Sequence, residues 1–282
     1  MQRKTVRDLT AAEVRGRRAL VRVDFNVPLD GTTVTDDTRI RAAVPTIAFL
    51  RERGARVVLL SHLGRPKAKI ESRYSLQPVV ASVASALGVP VKWCDETVGM
   101  NAVAATRALA DGDVLLLENT RFLPGEEKND AALSRELAEL GDFYVNDAFG
   151  AAHRAHTSTA GVAAFVRPAV AGLLMERELE YLGGALEKPA RPFIAILGGS
   201  KISGKIDVIE ALLPKVDGLL IGGAMACTFY KAMGYETGHS LVEPDRIELA
   251  KGLIARAGFR LTLPHDAMVS TASDTGKSAH AV

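Results

Sequence analysis

Short apolar runs rich in Val, Leu and Ile alternate with longer segments of helical periodicity along the first part of the chain. The apolar runs predict strands at residues 19–23, 56–60, 114–117 and 143–145. The segments between them repeat Ala, Leu and Val every three or four positions and predict helices at residues 37–53, 76–87, 101–110 and 129–140. Asn129 or Asp130 is placed to cap the last helix. This alternation is typical of a parallel sheet covered by helices on both faces.

A helix without a strand partner follows Pro168, at about residues 172–186, and the breaker run 187–192 ends it. We interpret this helix as a link between two domains. A second series then predicts strands at residues 193–197, 218–221 and 260–263 and helices at 203–213, 223–231 and 245–257. This series has too few strands to complete a sheet. The small, polar residues 270–282 are predicted to be disordered or poorly packed.

The predicted fold class is therefore α/β, with two Rossmann-like parallel-sheet domains joined by a hinge helix and the second domain incomplete. The predicted boundaries are residues 1–170 for the first domain, 171–190 for the hinge helix and linker, and 191–282 for the second domain. A length of 282 residues with 48% hydrophobic content agrees with more than one core.

Charge and cysteine content exclude several classes of function. A formal net charge of +2 and the lack of a long Lys/Arg block argue against nucleic-acid or membrane partners. Cys94 and Cys227 lie far apart and outside any metal-ligand spacing, so we expect two buried reduced thiols rather than a disulfide or a zinc site. The N-terminus carries no signal-peptide core, and no apolar run approaches the ~18 residues of a membrane span. We expect a soluble cytoplasmic protein.

Polar and basic side chains follow each predicted strand of the first series. In strand order they are Asp24 and Asn26, His62 and Arg65, Arg121, and His153 and Arg154. The carboxyl ends of parallel strands meet at one edge of a sheet, so these groups should converge. Taken singly, an Arg is usually a solvated surface charge and a His a structural residue. Several converging cations repel one another unless an anion lies among them, and guanidinium groups match carboxylate and phosphate oxygens. The predicted ligand is a small phosphorylated acid.

Two glycine turns mark the second series. In the first, Gly198 and Gly199 precede Lys201 and Lys205, at a spacing that fits neither a P-loop nor a dinucleotide-binding motif. Backbone amides where a helix begins can bind phosphate, and two lysines four residues apart are expected to share one helical face and neutralise phosphoryl oxygens. A plain strand-to-helix turn explains this segment about as well. The second turn, residues 221–226, has tight strand-to-helix packing as its simpler explanation.

Six ordered segments together resemble the phosphoglycerate kinase family. They are RVDFNVPL at 22–29, SHLGRPK at 61–67, LLENTRF at 116–122, NDAFGAAHRAHTST at 146–159, ILGGSKISGKI at 196–206 and IGGAMACTF at 221–229. The resemblance implies a glycolytic kinase, a transferase that moves a phosphoryl group between 1,3-bisphosphoglycerate and ADP to give 3-phosphoglycerate and ATP, with Mg²⁺ accompanying the nucleotide. It implies a monomer that binds its two small-molecule substrates on opposite domains and closes about a hinge.

The same resemblance assigns site residues by matching motif. It implies a 3-phosphoglycerate site in the first domain, formed by Asp24, Asn26, Arg39, His62, Arg65, Arg121 and Arg154. It implies a nucleotide site in the second domain, formed by Gly198, Gly199, Lys201, Lys205, Gly222 and Gly223. Arg39 and Lys201 are the implied catalytic residues; by sequence alone, Arg39 would be an exposed arginine in the first turn of a helix. Ala224 stands where family members often have a third glycine.

The implied reaction needs no general base, because the attacking carboxylate is already ionised at neutral pH. Family members continue past this sequence with a ribose-binding glutamate and a magnesium-binding aspartate, so the metal ligands here are unknown. We therefore expect a truncated chain, and three readings stay open. One is an active phosphoglycerate kinase, the second is a non-catalytic 3-phosphoglycerate-binding module, and the third is an anion-binding protein of other purpose.

Overall fold

The structure is a computed structural model that describes residues 4–270 and 280–281. Most of the tail predicted to be poorly packed, residues 270–282, lies outside the described residues. The chain divides into two compact units, Met1–Leu182 and Gly183–Val282.

The first unit is built from short strands and helices that alternate along the chain. Its strands are β1 (Arg18–Arg22), β2 (Leu29–Asp30), β3 (Thr33–Val34), β4 (Arg56–Leu60), β5 (Lys92–Cys94), β6 (Val114–Leu117), β7 (Phe143–Asn146) and β8 (Ala169–Ala171). Its helices are α1 (Ala11–Val14), α2 (Thr38–Glu52), α3 (Val79–Leu87), α4 (Met100–Arg107), α5 (Ala131–Ala138) and α6 (Phe149–Ala152), and α7 (Leu173–Glu187) crosses the boundary into the second unit.

Among the described residues, six strands of this unit form a parallel sheet in the order β5-β6-β4-β1-β7-β8. The central strand β1 pairs with β4 on one side and with β7 on the other, so that Val21 lies opposite both Leu59 and Val145. The chain leaves β1 toward β4 but leaves β7 toward β8. The carboxyl ends of β1 and β7 therefore flank a reversal of strand order, where α/β proteins commonly bind ligands.

Successive side chains of the sheet enter two separate cores. In β6, Val114 and Leu116 lie in one core and Leu115 and Leu117 in the other, all of them fully buried. Helices α2 and α3 contribute to the first core, and α4 and α5 contribute to the second. A strand buried on both faces needs a nearly continuous apolar sequence, which explains the runs seen in the chain. The predicted parallel sheet with helices on both faces is confirmed.

The sequence pattern did not predict two strands of this sheet, β5 and β8. Strand β5 is only three residues long, at an edge, with Lys92 exposed, and β8 is an Ala-Val-Ala run of weak β propensity. Both strands form because a neighbouring strand offers a parallel partner. At the start of α5, Asp130 is the N-cap, and its side chain accepts a hydrogen bond from the amide of Leu133 at 2.8 Å. Asn129 instead adopts the left-handed conformation, with φ of 55°.

The second unit contains a smaller parallel sheet with its core on one face. The strands are β9 (Ile194–Gly198), β10 (Gly218–Gly222) and β11 (Leu261–Thr262), in the order β11-β10-β9, and the helices are α8 (Ile206–Leu212), α9 (Met225–Ala232) and α10 (Ile247–Ala257). Strands β12 (Met268–Val269) and β13 (His280–Ala281) form a separate antiparallel pair. Leu219 and Ile221 of β10 are buried against the helices. On the opposite face of this sheet, Ile194, Ile196 and Leu220 are exposed by 47%, 75% and 37%.

Two further expectations concern thiols and membrane spans. Cys94 is buried and Cys227 is half-buried, and both are free thiols. No helix within the described residues is both long enough and apolar enough to cross a membrane.

Candidate functional site

The carboxyl edge of the large sheet carries a cavity of about 290 Å³. The lining residues come from the segments that follow β1, β4, β6 and β7 and from the first turn of α2. They are Asp24, Asn26, Arg39, His62, Gly64, Arg65, Arg121, Gly150, Ala151 and Arg154. All seven residues that the sequence assigned to a 3-phosphoglycerate site are among them. The structure thus brings together side chains separated by up to 130 residues in sequence, from Asp24 to Arg154.

The loop after β1 organises one wall of the cavity. The Asp24 carboxylate accepts a hydrogen bond from the Arg39 guanidinium at 2.7 Å and another from the amide of Asn26 at 3.2 Å. The Asn26 side-chain oxygen in turn accepts a hydrogen bond from the amide of Gly64, at 2.8 Å, in the loop after β4. Arg39, whose side chain is 53% exposed, is therefore oriented by a carboxylate rather than free in solvent.

Gly64 occupies a position that only glycine fits. Its φ of +61° lies in the left-handed region, and a Cβ added there would lie 2.4 Å from the ring of Tyr74. Its carbonyl accepts a hydrogen bond from Arg121 Nη1 at 2.7 Å. One glycine thereby holds both Asn26 and Arg121 in place.

Arg121 is held on a buried turn after β6. It is only 8% exposed, and its amide donates to the side-chain oxygen of Asn119 at 3.0 Å. Its Nε lies 3.1 Å from a carboxylate oxygen of Glu127 but without hydrogen-bond geometry, and so retains unused donor capacity. Burial lowers the pKa of Arg121 from its usual range, and Arg154 and Arg22 lower it further against the opposing effect of Glu127. The guanidinium stays charged in this environment, since arginine starts from a very high pKa.

Asn119 is a positioning residue that sequence reasoning missed. It is fully buried, and its side-chain nitrogen donates to the carbonyls of Leu63 and Tyr74, both at 2.8 Å. It therefore fixes the loop after β4 against the turn that carries Arg121. The available signal was an Asn two residues after an apolar strand and two residues before a basic side chain, since buried Asn persists only where its amide is satisfied.

His62 is the one uncharged member of the basic set. It is 8% exposed, and its Nδ1 lies 3.1 Å from a guanidinium nitrogen of Arg22. Burial lowers the pKa of His62 to about 2, and the nearby guanidinium groups of Arg22, Arg121 and Arg39 reinforce this shift. The imidazole is neutral at physiological pH and can donate a hydrogen bond without adding charge.

The cavity carries a strong positive charge. Four arginines against the single carboxylate of Asp24 leave a formal charge of +3 on the lining (+4 − 1), with His62 neutral. Within residues 4–270, neither Arg65 nor Arg154 pairs with a carboxylate, although Arg154 Nε donates to the His153 ring at 3.2 Å. Such an arrangement stores repulsion that an anion with several oxygens relieves.

The residues predicted for a nucleotide site lie in the second unit. Gly198 and Gly222 end β9 and β10 and are opposite each other in the sheet register. Gly223, with φ of +67°, lies so close to Gly199 that an added Cβ would be 2.9 Å from the Gly199 backbone nitrogen and oxygen. Close backbone packing at these strand ends therefore requires glycine.

The predicted geometry of the two lysines is wrong. Helix α8 begins at Ile206, so Lys201 and Lys205 precede it and do not share a helical face. The reason is Glu243, whose carboxylate accepts hydrogen bonds from the Ile202 amide at 2.5 Å and from the Ser203 amide and hydroxyl at 3.2 and 2.5 Å. These contacts hold a turn in place of the first helical turn. They also occupy two of the amides that the sequence suggested for phosphate.

The described residues were also searched for clusters of metal-ligating side chains. No group of three or more His, Cys, Asp or Glu side chains suited to a metal ion occurs among the residues described.

The fold and the cavity define a class of protein: an α/β protein whose parallel sheet carries, at its carboxyl edge, a basic cavity suited to a small multiply charged anion. The family model for phosphoglycerate kinase matches residues 8–282. The chain belongs to the phosphoglycerate kinase family, whose members are phosphotransferases of glycolysis.

Individual relatives agree with this assignment. A phosphoglycerate kinase of Roseiflexus castenholzii is 60% identical over 277 residues, which cover 96% of this chain and 69% of that protein. A phosphoglycerate kinase of Chlorobium luteolum is 54% identical over 286 residues, which cover 100% of this chain and 71% of that protein. Among solved structures, the phosphoglycerate kinase of Coxiella burnetii matches with a TM-score of 0.83 at 39% identity, over all of this chain and 70% of that one. That of Pyrococcus horikoshii matches with a TM-score of 0.82 at 28% identity, over 95% of this chain and 68% of that one.

Proposed function

We propose that the chain transfers a phosphoryl group between 1,3-bisphosphoglycerate and ADP, with its three-carbon substrate bound in the basic cavity of the first unit. The observation that carries this proposal is the coincidence of seven motif residues with one cavity of formal charge +3. Substrate binding is assigned to Asp24, Asn26, Arg39, His62, Arg65, Arg121 and Arg154.

The chemistry of the cavity suits 3-phosphoglycerate. This substrate carries a phosphate at one end and a carboxylate at the other, and guanidinium groups bind both kinds of oxygen in bidentate fashion. A cavity of about 290 Å³ has room for a three-carbon acid with its phosphate. Arg39, Arg65, Arg121 and Arg154 supply the charge, and His62 supplies a neutral donor.

The mechanism requires positioning and charge rather than proton transfer. In the direction of 1,3-bisphosphoglycerate synthesis, a carboxylate oxygen of 3-phosphoglycerate attacks the terminal phosphorus of ATP, the bond to the bridging oxygen breaks, and ADP leaves with that oxygen. Arg39, oriented by Asp24, and Lys201, on the turn held by Glu243, are the proposed catalytic residues, because cations beside the equatorial oxygens stabilise the transition state. Magnesium enters as part of the MgATP or MgADP substrate, and no step is assigned to a metal held by the chain.

The proposed division of labour follows the predicted domains. Residues 1–170 bind 3-phosphoglycerate, residues 171–190 form the hinge helix and linker, and residues 191–282 form part of a nucleotide-binding domain with Gly198, Gly199, Lys201, Lys205, Gly222 and Gly223 at the nucleotide. The proposed enzyme is monomeric and cytoplasmic, and its two free thiols agree with a reducing compartment.

One experiment separates the main alternatives. Phosphoryl transfer from MgATP to 3-phosphoglycerate is measured with the purified chain, with a Lys201→Ala variant prepared identically to exclude contaminating host kinase. Turnover that depends on Lys201 supports the proposed enzyme. A folded chain that binds 3-phosphoglycerate without turnover supports the non-catalytic binding module, which the location of all seven cavity residues in the first unit favours as second candidate. Lack of 3-phosphoglycerate binding contradicts both.

A further inference from the structure

A buried arginine lies directly behind the cavity and is not part of its lining. Arg22, the last residue of β1, is 1% exposed. A guanidinium is almost never fully buried unless its charge and its donors are matched, because desolvation is costly. The structure therefore has to supply both a counter-charge and acceptors for Arg22.

Glu126 supplies the counter-charge, and Ser158 connects it to Arg22 through hydrogen bonds. Arg22 Nε donates to Ser158 Oγ at 2.8 Å, and this hydroxyl donates to a carboxylate oxygen of Glu126 at 2.5 Å. The Ser158 amide donates to the other Glu126 oxygen at 3.0 Å. Ser158 and Glu126 are fully buried, and Arg22 Nη1 also donates to the carbonyl of Val23. This network fixes the guanidinium plane.

The remaining arm of Arg22 determines the state of His62. Arg22 Nη2 lies 3.1 Å from His62 Nδ1, and arginine has donors only, so Nδ1 accepts the hydrogen bond and carries no proton. The proton of the neutral ring is then on Nε2. Within the described part of the chain Nε2 makes no hydrogen bond, and the ring lines the cavity.

We propose that Arg22 is a positioning residue that holds His62 in the Nε2-protonated tautomer, so that a neutral imidazole presents a fixed N–H donor to the anionic substrate. The identity of that substrate rests on the function proposed above. The arrangement adds a donor to the cavity without adding a fifth positive charge to its four arginines.

The surroundings of His62 agree with a neutral ring. Among residues 4–270, Asp24 is the one carboxylate that forms an ion-pair contact with it, with an oxygen 3.9 Å from Nδ1, and that carboxylate already binds Arg39 at 2.7 Å. The other charged or titratable groups that act on it are Arg22 from β1, Arg39 from α2, Arg121 from the turn after β6 and His156 from the segment after α6. Together with burial, they lower the pKa of His62 to about 2.

The test reads the tautomer directly. ¹⁵N NMR of the histidine side chains, with His62→Gln for assignment, is recorded across the neutral pH range for the wild-type chain, Arg22→Met and Arg18→Met. Arg18 is the matched control, an arginine on the same strand that pairs with Asp142 at 2.7 Å. We expect one Nε2-protonated form in the wild type and in Arg18→Met, and a mixture of tautomers that titrates in Arg22→Met. Calorimetric titration with 3-phosphoglycerate should show binding about tenfold weaker in Arg22→Met only, the loss expected for one misoriented hydrogen bond to an anion.

A proton on Nδ1 in the wild type, or an unchanged single tautomer in Arg22→Met, overturns the inference. If Arg22→Met does not fold, Ser158→Ala takes its place, since it removes an acceptor of Arg22 without removing a charge. The ¹⁵N spectra of the wild type and of Ser158→Ala are then compared in the same way. If the wild-type chain does not bind 3-phosphoglycerate, the proposed function fails, and the tautomer measurement, which needs no ligand, still decides the role of Arg22.

Discussion

Replacing Gly64 by alanine tests how far the cavity depends on one backbone position. The left-handed conformation of Gly64 costs a residue with a Cβ about 1–2 kcal/mol, and the new methyl would lie 2.4 Å from the Tyr74 ring. Relief of that clash displaces the loop and weakens the hydrogen bonds to Asn26 and Arg121, each worth about 0.5–1.5 kcal/mol. The free energy of unfolding should therefore fall by about 2–5 kcal/mol in total.

Gly88→Ala provides the matched control. Gly88 follows α3 with a similar φ of +67°, but an added Cβ would meet nothing within 4 Å. Its cost should be the backbone strain alone, about 1–2 kcal/mol. Urea unfolding is followed by the fluorescence of Trp93, the single tryptophan, which lies in β5 of the first unit, and 3-phosphoglycerate affinity is measured by calorimetry. Equal destabilisation by the two substitutions, with wild-type affinity in Gly64→Ala, would refute the reasoning.

Three further predictions concern other parts of the molecule. Glu243→Ala should release the turn that carries Lys201 and abolish phosphoryl transfer while 3-phosphoglycerate affinity is unchanged in calorimetry; retained turnover would contradict this. Arg121→Ala should weaken 3-phosphoglycerate binding by about 10–100-fold, as expected for a charge-assisted bidentate contact, whereas Arg18→Ala should leave affinity at the wild-type value. The pKa of His62 falls from 6.5 in its ordinary state to about 2 in the fold, so between these values the unfolded chain binds a proton that the folded chain excludes. The free energy of unfolding should therefore rise with pH through that window, and His62→Gln should reduce the slope by up to about 1.4 kcal/mol per pH unit, measured by urea unfolding between about pH 5 and 7; an unchanged slope would show that His62 is not buried neutral.

The sequence was most informative where a buried strand ends in polar residues. Both the strand and the first side chains beyond it are locally encoded, which is why the sequence alone predicts that Asp24, His62 and Arg121 lie near one another. Strands β5 and β8 could not be found in the same way, because partners distant in sequence stabilise them.

Partners distant in sequence also explain the errors and omissions in the site geometry predicted from the sequence. Lys201 and Lys205 have good helical spacing, but Glu243, about forty residues further along, captures the turn between them. Arg22 falls inside the predicted strand 19–23, and nothing local indicates that Glu126, through Ser158, balances its charge inside the protein. Single-sequence periodicity carries no information on such tertiary hydrogen bonds.

The central position of β1 has a consequence for how the chain is made. Its partner on one side, β4, follows soon in the sequence, but Phe143 of β7 pairs with Ala19 from 124 residues further on. At a synthesis rate of about 5–20 residues per second, the ribosome needs roughly 6–25 s to deliver the second partner. Throughout that interval an apolar strand has an open edge, to which another nascent chain can add. This exposure arises from the order of the strands along the chain and cannot be inferred from the contacts of the finished sheet alone.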